Sequence, residues 1–314
     1  MSQDGGLLCI TPAPAIDRTA HVERVEPDVI LRPTELVALP GGKGVNAARA
    51  ARHLGGSVLT TGIAGGYAGR WIVAALEEEG LPARWSSAAA ESRTTYVTVD
   101  DAGTSIIVYE RPGLATEAEY AAFLRLLADE LLPRSAHAIV AGSVPTGLDP
   151  RSHGAIVEVA RAAGCPLLVD GSGAGLRAAL AAGPDIVKIG RIEAVEAGLV
   201  GAEAGALEAA LALVAHGASL GIITDGASEV AAADANHTWR VSVPRVRAVN
   251  AVGSGDAFNA ALSLALMADA SIEAALRAGV AAGSANALTL SAAMLDPVVA
   301  RDLQAQVAVR SERR

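Results

Sequence analysis

The stretch "VNAVGSGDAF" at residues 249–258 brings three small residues, Gly253, Ser254 and Gly255, up to an acid, Asp256, and an alanine-rich run follows at once. A glycine-rich turn feeding a helix gathers free backbone N–H groups, and the helix macrodipole makes that spot attractive to anions. A carboxylate there has two readings. It can be a helix cap that satisfies orphan amides, or a general base beside an anion-binding turn, as phosphoryl transfer to a hydroxyl requires. A second stretch, "PGGKGVNAARAARHLGG" at 40–56, joins a double glycine, which lets backbone approach a ligand closely, to the cation Lys43 and to Asn46 one turn into a small-residue helix. It is not a Walker A loop, which needs Gly-Lys-Ser/Thr after a longer glycine spacing. The competing structural reading is a plain strand-to-helix turn.

Other motifs carry less. "GASLG" at 217–221 matches the serine-hydrolase elbow with Ser219 as nucleophile, but a helical pattern precedes it and a strand follows, the reverse of what the elbow needs. "DGSGAGL" at 170–176 follows an apolar strand like a dinucleotide fingerprint, yet Leu176 stands where the third glycine belongs. The six histidines form no metal-ligand spacing. Cys9 and Cys165 are far apart and form no CxxC, so neither a disulfide framework nor a zinc cluster is expected.

The elements that must position these residues follow from the apolar pattern. "LLCI", "SVLTTGI", "AHAIVAG", "CPLLVD", "DIVKI" and "LGIIT" are short and apolar throughout, and helix-type segments at 116–132, 150–163 and 203–216 lie between some of them. That alternation predicts a parallel sheet covered by helices on both faces. A hairpin is expected at 229–243, then helix from about 254 nearly to the end. Residues 20–40 and 93–109 look like half-exposed strands outside the main sheet, with "DDAG" as a hairpin turn. The 314 residues are expected to form one α/β domain with this outgrowth as a lid. A net charge of −9 without a Lys/Arg-rich block gives no footprint for nucleic acid or an anionic membrane. Acid instead of base precedes the first apolar run, which reads poorly as a signal peptide, so a cytoplasmic location is expected.

"GGKGVNAARAARHLG" and "VNAVGSGDAFNAAL", in this order, resemble the two signatures of the ribokinase-like, phosphofructokinase-B family of sugar kinases. "ITPAPAID" resembles the family's opening with its sugar-binding aspartate, here Asp17, and "ESRTTYV" the segment with a substrate-binding arginine, here Arg93. "AGSVPTG" resembles the turn of the sugar-phosphate branch and places Ser143 near substrate. The resemblance implies a three-layer α/β/α fold with a β-sheet lid, ATP as donor, Mg²⁺ as counter-charge and a homodimer clasped through the lid. It also implies Asp256 as base, with Gly253, Ser254 and Gly255 as the anion hole. Asp17, Gly42, Lys43, Asn46, Arg93 and Ser143 would bind the sugar, with Lys43 and Arg93 gripping its phosphate. Lys188, Glu193, Thr224 and Gly226 would serve the nucleotide, and Glu193 the metal indirectly.

The branch closest in pattern is that of 1-phosphofructokinase and tagatose-6-phosphate kinase. Ribokinases resembling this chain keep an aspartate and a threonine as monovalent-cation ligands where Asn250 and Ala251 stand. Other departures fall at Ala13 and Gly190, both asparagine in the family, and at Glu229, where a glycine is usual. Glu229 is expected to repel nucleotide phosphates unless it turns outward. Some relatives use a further arginine where Val108 stands, with Arg111 three residues on. A kinase of an unphosphorylated sugar or nucleoside, a non-catalytic sugar-phosphate binder and a dinucleotide oxidoreductase are the alternatives.

Overall fold

The computed structural model describes residues 5–149 and 151–314. The first residues of the N-terminal segment and Pro150, at the start of the expected 150–163 helix, lie outside the described residues. In chain order the first half comprises β1 (Leu7–Thr11), β2 (Ala15–Val22), β3 (Glu35–Gly41), α1 (Lys43–His53), β4 (Val58–Gly65), α2 (Gly66–Glu78), β5 (Ser86–Ala88), β6 (Arg93–Asp100), β7 (Ser105–Tyr109) and α3 (Glu117–Leu126). Next come β8 (His137–Ala141), α4 (Ser152–Ala162), β9 (Leu167–Asp170), α5 (Gly173–Ala181), β10 (Ile186–Gly190), α6 (Arg191–Glu196), α7 (Ala206–Ala215) and β11 (Leu220–Asp225). The chain closes with β12 (Glu229–Ala233), β13 (His237–Ser242), α8 (Ser254–Met267), α9 (Ile272–Asn286), α10 (Pro297–Gln304) and β14 (Val309–Arg313).

A ten-stranded sheet runs in the order β14-β13-β12-β11-β10-β9-β8-β1-β4-β5. From β5 to β11 neighbours pair parallel, and β12 to β14 add an antiparallel edge. The continuous apolar strands are buried on both faces, as parallel strands must be when helices cover them. In β1, Leu7 and Cys9 join the core under α1, α8 and α9, whereas Leu8 and Ile10 join the opposite core under α3, α4, α5 and α7. A period of two thus divides one strand between two cores. The three-layer α/β/α fold expected from the sequence is what forms.

A separate four-stranded sheet has the order β3-β2-β6-β7. Its first strand starts earlier than the expected residue 20. Because β2 begins at Ala15, it carries Asp17 and joins this sheet directly to the end of β1. The β2–β6 pair is parallel, with Ala15 opposite Arg93 and Asp17 opposite Thr95.

Two local expectations differ. The helix foreseen over 116–132 is α3 followed by a π turn, Leu127–Leu131, and a 3-10 turn, Leu132–Arg134, which ends at a proline-containing turn unable to continue an α-helix. The C-terminus is not helical to its end. Val309–Arg313 pairs antiparallel with β13 and covers that strand's backbone groups, although its mostly exposed side chains give no apolar alternation. No helix among the described residues is long and apolar enough to cross a membrane.

Candidate active site

Helices α1 and α8 pack against each other, and both are rich in small buried residues, Ala47, Ala48 and Ala51 on one and Ala257, Ala260 and Ala261 on the other. Side chains this small let the backbones approach closely, so polar groups in the two first turns meet. Both helices begin at a glycine with positive φ, Gly42 at 111° and Gly253 at 82°, and neither has a side-chain cap. At Gly253 a Cβ would lie 2.9 Å from the Ala293 nitrogen, so both conformation and space demand glycine. Ser254 N donates to the Ala251 carbonyl at 3.2 Å, and no side chain among the described residues claims the other first-turn amides.

Asp256 does not cap α8. Its Oδ2 accepts a hydrogen bond from Asn46 Nδ2 at 3.0 Å, and the carboxylate is buried. Burial, reinforced by the negative charge of Asp170, pushes Asp256 up to about 6 against the pull of Asn46, Lys43 and Lys188. Asp170, at the end of β9, is also fully buried but behaves oppositely. It accepts from Lys43 at 2.7 Å, Lys188 at 3.0 Å and Asn259 at 2.9 Å. Burial alone would raise it, yet Lys188 and Lys43 hold it well below the usual carboxylate range. Lys43 also pairs with Glu193 at 3.2 Å, and despite burial these carboxylates raise its pKa. Lys188 lies directly beneath the anion turn, where a Cβ on Gly255 would sit 2.6 Å from its Nζ.

The expected residues fall into two groups meeting at Asp256. On the small-sheet side, Asp17 accepts from Thr95 Oγ1 at 2.5 Å and packs so close to Gly41 that a Cβ there would overlap its carboxylate. Burial raises its pKa against the pull of Thr95, Arg49 and Arg93. Arg93, the first residue of β6, feels the charge of Asp17, and its buried Nε has no hydrogen-bond partner among the described residues. Ser143 is exposed in the turn after β8. Arg111 lies beyond the end of β7 and is exposed, as is Val108. Lys43 stands apart from this group, because both its partners, Asp170 and Glu193, belong to the other side.

On that other side a cleft of about 560 Å³ opens in front of the turn, lined by Thr224, Gly226, Val243, Val246, Gly255, Phe258, Val280 and Ala287 among others. Its mostly apolar walls beside exposed amides suit a nucleotide base with its phosphates toward α8. Glu193 Oε2 accepts from the Gly190 amide at 2.7 Å and closes the start of α6. Glu229 is held by Arg240 at 2.9 Å across the β12–β13 pair and does not line the cleft, which is the outward orientation that would spare nucleotide phosphates. Asn250 Nδ2 donates to the Leu290 carbonyl and its Oδ1 accepts from Val252 N, tying together the loops around the turn without a carboxylate. Among the described residues no cluster of three His, Cys, Asp or Glu could hold a metal by itself. Asp170 has both oxygens taken by Lys43, Lys188 and Asn259, so of the carboxylates here the partly exposed Glu193 is the one that would face a Mg²⁺ held mainly by substrate phosphates and water.

Sequence reasoning passed over Asp170, Asn259, Arg49 and the apolar wall of the cleft. For Asp170 a signal existed: an acid at the carboxyl end of a fully apolar strand, where open α/β sheets bind ligands. The apolar wall, drawn from a loop and two helices, had none.

A model of the "pfkB family carbohydrate kinase" matches residues 7–297. The chain is 32% identical over 291 residues to the ATP-dependent 6-phosphofructokinase isozyme 2 of Escherichia coli K12, covering 90% of this chain and 92% of the relative. It is 31% identical over 313 residues to the 1-phosphofructokinase of Xanthomonas campestris pv. campestris, covering 96% and 97%. The crystal structure of phosphofructokinase-2 from Escherichia coli in complex with potassium superposes with a TM-score of 0.88 at 28% identity, covering 96% of this chain and 98% of that one. With both glycine-led motifs converging on one carboxylate and the match spanning nearly the whole chain, this protein belongs to the pfkB family of carbohydrate kinases and is an ATP-dependent sugar kinase.

Proposed function

We propose that the chain transfers the γ-phosphoryl group of ATP to a hydroxyl of a ketohexose that already carries a phosphate, of the fructose 1-phosphate or tagatose 6-phosphate type, with Asp256 as general base. The observation that carries this reading is the Asp256 carboxylate, buried, held by Asn46 and raised to about 6 at an uncapped helix start. Such a group is ionised at neutral pH yet basic enough to take a hydroxyl proton. As the acceptor oxygen attacks the γ-phosphorus, its proton passes to Asp256 and the bond to the leaving ADP oxygen breaks. Amides of Gly253, Ser254 and Gly255 receive the charge on the transferring group, and Lys188 beneath them adds a fixed positive charge. Mg²⁺ bound with the nucleotide would supply counter-charge to its phosphates, and Glu193 would hold it indirectly, through water.

Asp17, Gly42 and Asn46 hold sugar hydroxyls, with Ser143 at the rim. The open donor of Arg93 beside Asp17 supports a grip on the sugar's own phosphate. The two relatives, both named phosphofructokinases, support a phosphorylated acceptor and differ in the position their names give. The competing reading, an unphosphorylated sugar or nucleoside, is favoured by the engagement of Lys43 with Asp170 and Glu193, which leaves Arg93 the main phosphate ligand.

ADP release with a panel of ketohexoses, each with and without its phosphate, decides between them in wild type and in Arg93→Ala. A phosphate-binding Arg93 costs the variant about 2 to 4 kcal/mol in kcat/KM on the phosphorylated sugar and much less on the free one. Equal losses on both, or a wild-type preference for the free sugar, transfer the protein to the competing reading. The small sheet serves as the lid, and the exposed Ile106, Ile107, Val108 and Tyr109 on its edge strand β7 support a homodimer clasped there.

A further inference from the structure

Arg49 carries no role so far, yet it is among the most buried charged groups of the chain, 4% exposed. It lies one turn after Asn46 on α1, so both side chains share a face. Its guanidinium makes four hydrogen bonds. Nη1 donates to Asn46 Oδ1 at 3.0 Å, Nη2 to the Pro40 carbonyl at 2.7 Å and to Glu79 Oε1 at 3.1 Å, and Nε to Glu79 Oε2 at 2.9 Å.

This arrangement is costly as packing. Burying a guanidinium loses hydration that its partner only partly returns, and an apolar side chain would fill the space more cheaply. Glu79 adds to the cost because it stands at the C-cap of α2, where the macrodipole disfavours an acid. What the pair does supply is direction. Asn46 has one acceptor and one donor end. With Oδ1 taken by the guanidinium, Nδ2 must face Asp256; a flipped amide would set donor against donor at Arg49 and oxygen against oxygen at Asp256. The bond to Pro40 fixes the residue that leads into Gly41 and Gly42, and Asp17, packed on Gly41, feels the charge of Arg49.

We propose that Arg49, braced by Glu79, is a positioning residue for phosphoryl transfer: it locks the Asn46 amide so that its NH2 group holds the Asp256 carboxylate, and in the same fork fixes the glycine loop beside the acceptor. The inference rests on Asp256 being the base. Asp256 is faced by Lys43 and Asn46 from α1, Asp170 from β9 and Lys188 from β10, all of which remain in the Arg49 and Glu79 variants below.

The test compares kcat, KM for ATP and the pH profile of kcat/KM in Arg49→Lys, in the neutral pair Arg49→Met with Glu79→Gln, and in Glu79→Gln alone, each checked for folding by thermal denaturation. The neutral pair should lose about tenfold to a hundredfold in kcat with KM for ATP nearly unchanged. Its acid limb should move up by roughly half a pH unit, because an unlocked amide no longer favours the ionised base. Arg49→Lys should recover part of the rate, and Glu79→Gln, which keeps the fork, should lose least. Asn46→Ala should cost the neutral pair less in kcat than it costs wild type if Arg49 acts through Asn46. Wild-type kcat and pH profile in a folded neutral pair, or a full additive loss on adding Asn46→Ala, overturn the proposal. Asp256→Asn measured alongside separates the failures. If it is inactive while the Arg49 variants turn over normally, this inference alone falls; if it turns over like wild type, both fall.

Discussion

The end of β9 and the head of α8 each bury an aspartate near Lys43 and Lys188, and the two titrate in opposite directions. Asp170 accepts from two lysines and an asparagine and is held well below the ordinary carboxylate range. Asp256 accepts from one neutral amide, feels Asp170 as a like charge and rises to about 6. Burial is common to both. What separates them is where the cations were put: Lys43 and Lys188 touch Asp170 and reach Asp256 only through space. One region thus holds a permanent anion that organises two lysines, and the other a carboxylate able to exchange a proton near neutrality. The helix starts repeat the lesson. α3, α9 and α10 carry side-chain caps from Thr116, Ser271 and Asp296, whereas α1 and α8 begin at uncapped glycines with positive φ, and the head of α8 lines the cleft.

The comparison breaks most completely at Asp256→Asn, which keeps the shape and removes the base. Turnover should fall by about a hundredfold or more with sugar binding little changed, as read from initial rates and a binding titration. The same variant should be more stable than wild type. A carboxyl raised from its unfolded value to about 6 loses stability as pH rises from about 4 to about 6. Removing it should therefore return on the order of 2 to 3 kcal/mol at pH 8 in urea melts, and nothing below pH 4. An Asp256→Asn protein as active as wild type would leave the carboxylate a structural group.

Asp170→Asn should act in the reverse sense on stability. It strands Lys43 and Lys188 without their shared anion, and breaking a buried pair from one side costs about 3 to 5 kcal/mol. The sign follows from its depressed pKa: its contribution is present above about pH 4 and lost only in stronger acid. Loss of the like charge should also lower the pKa of Asp256, so any residual activity would extend to lower pH. A variant as stable as wild type would mean that the lysines find other partners.

In wild type, kcat/KM should fall about tenfold per pH unit below about pH 6, the limb belonging to Asp256 and not to Asp170. A flat profile down to pH 5 would remove the contrast between the two acids. The smallest effect is expected at Glu229→Gly. Since Arg240 holds that carboxylate away from the cleft, KM for ATP should change by less than about twofold. A marked gain in ATP affinity would show that Glu229 reaches the nucleotide after all.

The sequence alone determined the parallel sheet, through strands too apolar to face water, and the two glycine-led helix starts, through residues that only a sharp turn and an open anion site explain. It also determined that an acid, a lysine and an asparagine sit within a turn of those starts, since helix geometry places them once the starts are known. Tertiary structure decided what they touch. Lys43 turned to Asp170 and Glu193 because those carboxylates come from the end of β9 and the first turn of α6 after β10, brought alongside α1 only by the sheet order. The Arg49–Glu79 pair joins α1 to the end of α2, and β14 found β13 without any alternation of its own. Local periodicity reports which face of an element is buried. The neighbours of a buried charge are set by packing between elements far apart in the chain, and those neighbours set its pKa.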